Sequence, residues 1–331
     1  MTRKKATNIF LCIGIIAVVI MLLTFDIPYA QIWKNLHKAG WWFVAVVLIW
    51  IPIYMINAWS WMVIIKGNDK KCAVPYFQIL KYTISGYALN YITPVGLLGG
   101  EPYRIMELSK YYNIDRASSA VILYAMMHIF SHFFFWAFSI VLFIALKFEM
   151  MTPLTGIFLL IVSAFISAGI YLFMKGYRKG FAMKALRLFI HWPFIGTKVA
   201  RFMVSKEATI HKIDERIAAL HKQDKRSFYL SLSLEFLARI LGCLEIWFIF
   251  MILSNNVSFT NCILIQAFTS LFANLFFFMP MEMGTREGGF AISVGSLAMS
   301  GAFGVLAGLL TRVRELIWIM VGLVLIKVNN K

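Results

Sequence analysis

Two proline-glycine segments, residues 93–104 and 279–289, interrupt apolar stretches of this chain. Each carries a glutamate seven residues after a proline, and these glutamates, Glu101 and Glu287, are 186 residues apart (287 − 101). Proline and glycine free backbone groups from the helical hydrogen-bond ladder, and hydrocarbon cannot satisfy those groups. The paired breaks therefore predict two discontinuous helices around a protein interior or a hydrated cavity.

The rest of the chain is too apolar for a soluble domain, because 61% of its 331 residues are hydrophobic and only 14% are charged. A helix needs roughly 20 apolar residues to cross a bilayer. Apolar stretches fall at about 8–25, 41–65, 77–98, 118–146, 153–174, 227–253, 261–281 and 302–326. The sequence predicts an all-α polytopic membrane protein with one integral membrane domain, residues 1–331.

The positions of the charges, more than the net charge of +17, indicate how the chain is oriented. Basic residues flank several apolar stretches: Arg3, Lys4, Lys5, Lys66, Lys70, Lys71, Lys327 and Lys331. By the positive-inside rule these flanks, and so both termini, are expected in the cytoplasm. The expected location is the cytoplasmic (inner) membrane of a prokaryote.

The longest polar segment, 175–226, holds thirteen Lys or Arg against four acidic residues. We expect it to be cytoplasmic and amphipathic, with a helix near 198–220 that lies on anionic lipid headgroups. A solvated helical hairpin that only anchors the topology fits equally well. The segment has no nucleic-acid-binding motif, so no nucleic acid partner is expected.

The number of membrane crossings limits how each break can lie in the membrane. If residues 66–76 and 175–226 both face the cytoplasm, an even number of crossings must separate them. The stretches 118–146 and 153–174 already supply two. The first break then enters and leaves from the cytoplasmic side, and the second does so from the outside. The prediction is about six full transmembrane helices plus two oppositely oriented re-entrant hairpins that form an inverted repeat. Two complete crossings, or two ordinary interhelical loops, are the alternatives.

Six charged residues lie inside the apolar stretches 227–253 and 302–326: Glu235, Arg239, Glu245, Arg312, Arg314 and Glu315. At roughly 2.5–3.5 kcal/mol each, six unpaired charges would cost about 15–20 kcal/mol. They must therefore be paired, neutralised or hydrated. Glu235 and Arg239 are spaced for a pair on one helix face, as are Arg312 and Glu315, whereas Arg314 and Glu245 have no sequence-local partner.

These features define a candidate headgroup site. Glycine backbone N–H groups and arginine side chains both suit phosphate oxygens. The predicted substrate-binding residues are Gly96, Gly99, Gly100, Glu101, Arg104, Gly284, Arg286, Glu287, Arg312 and Arg314, with Glu235, Arg239, Glu245 and Glu315 as a supporting charge network. Glu101 and Glu287 could bind a headgroup amine, carry a proton or hold arginines. A purely structural charge network is an equally strong interpretation.

His128 and His132 are four residues apart, which is compatible with two metal ligands. No Glu or Cys accompanies them at a zincin-like position, so packed histidines are the favoured interpretation. The four cysteines have no metal-ligand spacing. We predict no metal and no cofactor.

At its two breaks the chain resembles the flippase-like membrane domain family named after the lysylphosphatidylglycerol synthase transmembrane region. The resemblance is carried by residues 93–104, by Met279-Pro280 with 284–288, and by Arg312. That family resembles the lipid-translocating half of the multiple peptide resistance factor, whose other half is a soluble aminoacyl transferase. Glu282 and its methionine neighbours stand where the family usually has Ser or Gly, so the family's substrate is not carried over.

The leading hypothesis is a non-enzymatic flippase-like protein that translocates a phospholipid or lipid-linked headgroup, because no transferase domain follows Lys331 in this sequence. The expected partners are phospholipids, anionic or aminoacylated, and a separate cytoplasmic lipid-modifying enzyme; a homo-oligomer is compatible with the sequence. One alternative is a membrane-embedded transferase with Glu101 or Glu287 as general base. Another is a channel or a scaffold for a separate enzyme.

Overall fold

Helices account for nearly all of the chain that the computed structural model describes, which is residues 40–67, 72–92, 99–179, 187, 196–223, 225–253, 257–276, 285–297 and 301–328. These residues contain no strand. The helices are α1 (Trp41–Leu48), α2 (Trp50–Lys66), α3 (Tyr76–Ile92), α4 (Gly100–Leu108), α5 (Ile114–Leu146), α6 (Pro153–Lys179), α7 (Gly196–Gln223), α8 (Lys225–Leu253), α9 (Phe259–Leu275), α10 (Thr285–Ser296) and α11 (Gly301–Val328), with a 3₁₀ turn at Phe148–Met150. The predicted all-α class is confirmed.

Three described helical stretches are long and apolar enough to cross a membrane: Trp41–Lys66, which combines α1 and α2, all of α5, and Pro153–Gly176 of α6. The 33 residues of α5 extend over about 50 Å, more than the hydrocarbon thickness. Its start is fixed by Asn113, whose side chain accepts a hydrogen bond from the Arg116 backbone N–H at 3.1 Å. The first predicted apolar stretch, 8–25, lies outside the described residues.

Each proline-glycine segment separates two helices, as predicted. α3 ends at Ile92 and α4 begins at Gly100, while α9 ends at Leu275 and α10 begins at Thr285. The residues between these ends, including Gly96 and Gly284, lie outside the described part of the chain. Separate helices before and after each segment agree with the predicted breaks and equally with ordinary interhelical loops, so the discontinuous, re-entrant helices stay a prediction.

A proline also explains why the first apolar stretch of the described chain contains two helices. Pro52 has no N–H to donate to the carbonyl of Leu48, and its ring crowds that carbonyl. α1 accordingly ends at Leu48 and α2 begins at Trp50. The Ile49 N–H still bonds the Ala45 carbonyl at 2.9 Å, so the helix is interrupted locally rather than ended.

The offset of 186 residues applies to the helices as well as to the motifs. Shifted by 186, the starts of α1, α3, α4 and α5 (residues 41, 76, 100 and 114) become 227, 262, 286 and 300, within three residues of the starts of α8, α9, α10 and α11. The packing repeats in the same way. α3 packs against α4 and α11, and the equivalent α9 packs against α10 and α5, while α2 packs against α8 between the halves. Residues 41–146 and 225–328 therefore share the same helix order and the same packing partners, and α6 and α7 lie between these two halves.

The basic segment is part of the bundle rather than a detached loop. α6 continues into it as far as Lys179, and α7 covers the predicted amphipathic helix at 198–220. α7 packs on α5 and α6 and buries Met203 and Ile210 in the same apolar cluster as Trp61 of α2. Its helical character is confirmed, and its contact with lipid stays a prediction.

Glycines allow α3 and α4 to approach closely in the first half. A Cβ on Gly100 would lie 2.1 Å from the carbonyl oxygen of Gly86, and a Cβ on Gly86 would lie 2.3 Å from Nε of Arg104. Real Cβ atoms do not make contacts this short, so a larger residue at position 100 would push the two helices apart, and one at position 86 would displace the Arg104 guanidinium.

We expect Gly100→Ala to destabilise the protein by about 1–3 kcal/mol, because the colliding atom is rigid backbone that cannot move aside. Thermal unfolding in detergent measures this change. The matched control is Gly156→Ala in α6, where nothing lies within 4 Å of the added Cβ. If both variants unfold at the wild-type temperature, the close approach of α3 and α4 is wrong.

Candidate functional site

The first break places its glutamate and arginine against α3. The backbone N–H of Gly100 donates to Oδ1 of Asn90 at 2.6 Å, and Nδ2 of Asn90 donates to Oε1 of Glu101 at 3.2 Å. The Asn90 side chain thus satisfies a free N–H at the start of α4 and orients the following carboxylate. The predicted site residue Gly99 precedes this helix start without a side-chain cap.

Arg104 is enclosed by the protein, with 2% of its side chain exposed. Its Nη1 donates to Oε1 of Glu101 at 3.1 Å, and its Nη2 donates to the Thr83 carbonyl at 3.3 Å. The guanidinium carbon lies over the Tyr87 ring at 4.8 Å and near the Tyr124 ring at 5.4 Å. Arg104 is therefore held by a carboxylate, a carbonyl and two aromatic faces.

In the second half, α10 supplies one arginine and one glutamate, and both pair with α11. Arg312 donates from Nε and Nη2 to the two carboxylate oxygens of Glu287 at 2.8 and 3.3 Å, which is a bidentate pair. Nη1 of Arg286 donates to Oε1 of Glu315. These side chains are 7–17% exposed, which makes this the more accessible of the ion-paired groups in the second half.

The third pair of the second half joins α11 to α8 and α2. Arg314 donates from Nε and Nη2 to the two oxygens of Glu245 at 2.8 and 3.2 Å, and both side chains are at most 5% exposed. Nε1 of Trp50 donates to Glu245 at 2.8 Å, and the Trp50 ring lies 4.0 Å from the guanidinium carbon of Arg314. Nη1 of Arg314 makes no hydrogen bond but lies 3.8 Å from Oε1 of Glu315.

Aromatic side chains connect the two halves of the site. The ring of Tyr54 on α2 lies 5.3 Å from the ring of Trp50, which contacts Glu245 and Arg314. It also lies 5.7 Å from the ring of Tyr87, which contacts Arg104. It also packs on Trp318 of α11 at 4.9 Å. A partly buried aromatic row thus joins two charged groups. The first-half group is Glu101 with Arg104, and the second-half group consists of Glu245, Arg286, Glu287, Arg312, Arg314 and Glu315. Sequence reasoning missed Trp50, Tyr54 and Tyr87, because aromatic residues in an apolar helix look the same whether they face lipid or a site.

Two sequence predictions about pairing are wrong. Glu235 bonds Nδ1 of His128 at 2.8 Å instead of Arg239, and Arg239 donates to Ser131 and to the His128 carbonyl. Arg312 and Glu315 do not pair with each other, since each finds its partner on α10. In both cases helix packing offers an acceptor on another helix with better geometry than the local one. Arg314 and Glu245, which had no local partner, are partners of each other.

The carboxylates have a definite role in this conformation. Of the three roles left open for Glu101 and Glu287, the geometry supports holding an arginine. The Arg312 fork presents to Glu287 the two donors that a phosphate would engage in the same way. No group of three or more His, Cys, Asp or Glu side chains suited to a metal ion occurs within the described ranges.

The family model described as "Lysylphosphatidylglycerol synthase TM region" matches residues 9–323 of this chain. The chain belongs to this family. The match covers both break segments and the intervening basic segment, and it agrees with the resemblance carried by the two motifs. Together with the apolar helices, it makes the protein an integral membrane protein. No curated protein and no solved structure matches the chain.

We expect Glu245→Gln to reduce the free energy of unfolding by about 3–5 kcal/mol, because it leaves the buried Arg314 charge uncompensated. Thermal or denaturant unfolding in detergent measures the loss. Glu207→Gln on α7 is the matched control, since that side chain is 67% exposed and its contact with His211 is 3.9 Å. Equal stabilities of the two variants would contradict a structural contribution of the Arg314–Glu245 pair.

Proposed function

We propose that this protein binds the phosphate-bearing headgroup of a phospholipid between its two break segments and moves it from one leaflet to the other. The observation that carries the proposal is the Arg312–Glu287 pair, a bidentate arginine fork beside a helix interruption and partly exposed. A headgroup phosphate can replace the carboxylate on Arg312 with the same geometry. The family's association with lipid modification supports a lipid as the ligand.

The equivalence of the two halves supports the transport step. Two equivalent halves that meet through α2 and α8, each with an interrupted helix, are the arrangement expected of alternating access at the bilayer midplane. In this proposal the interrupted helices are re-entrant hairpins of opposite orientation, both termini face the cytoplasm, and the membrane is a prokaryotic inner membrane. The acyl chains stay in lipid while the headgroup crosses along the charged and aromatic residues.

The state of the carboxylates favours translocation over catalysis. A general base needs a carboxylate that can accept a proton from the substrate. Both oxygens of Glu287 accept hydrogen bonds from Arg312. Oε1 of Glu101 accepts hydrogen bonds from Arg104 and Asn90, and its Oε2 is enclosed in the protein without a hydrogen bond, away from a substrate. We therefore propose that any chemical modification of the lipid is carried out by a separate cytoplasmic enzyme. Anionic or aminoacylated phospholipids remain the proposed ligands.

The test is leaflet exchange in vesicles that contain the purified protein and fluorescently labelled phospholipids, read by quenching of the outer leaflet. Wild-type protein is expected to accelerate exchange over protein-free vesicles. Exchange that equals the protein-free rate for anionic and zwitterionic phospholipids alike would exclude the proposal.

Arg312→Lys is expected to slow exchange about tenfold or more, because lysine keeps the charge but loses the two-pronged contact. The rate of leaflet exchange measures the effect. Arg201→Lys, at an exposed position on α7, is the matched control and should exchange lipid at the wild-type rate. Equal rates for Arg312→Lys and wild type would show that the fork does not contact the headgroup.

A further inference from the structure

A hydrogen-bonded chain of protonatable side chains lies beside Arg104 and Glu101, and none of its polar side-chain atoms bonds an arginine. The Tyr124 hydroxyl lies 3.2 Å from the Tyr87 hydroxyl, which lies 3.1 Å from Nδ1 of His128. The same Nδ1 lies 2.8 Å from Oε2 of Glu235. These four residues come from α3, α5 and α8, so the hydrogen-bonded chain depends on the packing of three helices.

The distance requires a hydrogen between His128 and Glu235. Nδ1 and a carboxylate oxygen both carry lone pairs, and they approach to 2.8 Å only when a hydrogen lies between them. Neutral His128 with its hydrogen on Nδ1 supplies it beside an ionised Glu235, so the pair fits this geometry with a net charge of −1 and can take up one further proton. While Nδ1 holds its hydrogen, the Tyr87 hydroxyl can turn towards Tyr124, and in the other tautomer it can donate to Nδ1.

The surroundings of the pair are suited to a proton that comes and goes. Glu235 is 1% exposed, and its Oε1 makes no hydrogen bond. His128 is 26% exposed, so it offers a route by which the proton can reach the buried carboxylate. Arg239, which would fix the charge of Glu235 permanently, donates to Ser131 and to the His128 carbonyl.

We infer that the His128–Glu235 pair is a proton-binding site whose proton travels in the same direction as the lipid headgroup. A hydronium ion on one side gives its proton to the pair and leaves water, so that the net charge of the pair rises from −1 to 0. On the other side water takes the proton back. The inference deepens the proposed function and rests on it. Protonatable Glu and His side chains inside transmembrane helices are the usual parts of such relays.

The coupling to the headgroup runs through Tyr87, whose ring lies 4.8 Å from the guanidinium carbon of Arg104 and whose hydroxyl contacts His128. The charged and titratable groups around His128 are Tyr87 of α3, Arg104 of α4, Tyr124 and His132 of α5, and Glu235 and Arg239 of α8. The positive charges of Arg104 and Arg239 repel a proton that is added to the His128–Glu235 pair. An anionic headgroup near Arg104 weakens this repulsion. Each ligand therefore favours binding of the other.

The decisive experiment imposes a pH difference on vesicles of phosphatidylcholine that contain the protein and a labelled phosphatidylglycerol, with the membrane potential clamped by a potassium ionophore. For one proton per headgroup, a difference of about one pH unit shifts the steady-state leaflet ratio about tenfold towards the alkaline side. An equal gradient of sodium ions should leave the ratio unchanged. Protein-free vesicles give the background.

Two variants locate the effect. His128→Gln and Glu235→Gln are each expected to keep the leaflet ratio near one across the pH gradient. In either variant the altered pair at positions 128 and 235 no longer takes up and releases the proton. His211→Gln is the matched control, as its side chain is 58% exposed on α7, and it should retain the tenfold shift. A wild-type response preserved in both pair variants would assign the proton to other residues and overturn the inference.

The wild-type measurement alone separates the two proposals without relying on the folding of any variant. If wild-type protein exchanges lipid but the leaflet ratio ignores the pH gradient or follows sodium, the proton inference is wrong and the proposed function stands. If wild-type protein exchanges no lipid, both are wrong.

Discussion

The structure depends on neutralising arginines inside helices that are otherwise apolar. An arginine without a partner at the centre of a membrane costs several kcal/mol. The described part of the helix bundle contains five arginines: Arg104, Arg239, Arg286, Arg312 and Arg314. Four have a carboxylate partner, and Arg239 is held by a hydroxyl and a carbonyl. Because most partners come from another helix, each ion pair also fixes how two helices pack. Charge balance and helix arrangement are therefore one constraint.

Equivalent halves meet this constraint with different chemistry. Position 128 on α5 corresponds to position 314 on α11 (314 − 128 = 186), and these positions hold histidine and arginine. Both residues pair with a glutamate of α8, His128 with Glu235 and Arg314 with Glu245. Since those glutamates are ten residues apart, about 15 Å along the helix, α8 connects a permanently charged pair to a titratable one. The halves share an architecture and differ in what their charges can do.

The sequence predicted the helices and the breaks well because their signals are local. Apolar length placed the starts of α3 and α9 within two residues of their observed positions, and the paired prolines lie between α3 and α4 and between α9 and α10. The sequence also showed that Arg314 needs a partner, but not that Glu245, 69 residues away, supplies it. Spacing reveals neighbours on one helix face, whereas the partner of a buried charge is set by which faces meet. The local pairs of Glu235 with Arg239 and of Arg312 with Glu315 were wrong for this reason.

Pairs that stabilise one conformation also limit how it can change. If Arg312 releases Glu287, two side chains that are only 11% and 17% exposed lose a bidentate contact at once, and the cost is several kcal/mol unless each finds a replacement. A headgroup phosphate can replace Glu287 on the arginine, but the freed carboxylate then needs a cation or a proton. The Arg286 side chain precedes Glu287 on α10, and Arg314 lies two residues from Arg312 on α11 with an Nη1 that makes no hydrogen bond. In the proposed transport step, Arg286 turns from Glu315 to Glu287, and Arg314, whose Nη1 lies 3.8 Å from Oε1 of Glu315, compensates the carboxylate that Arg286 leaves.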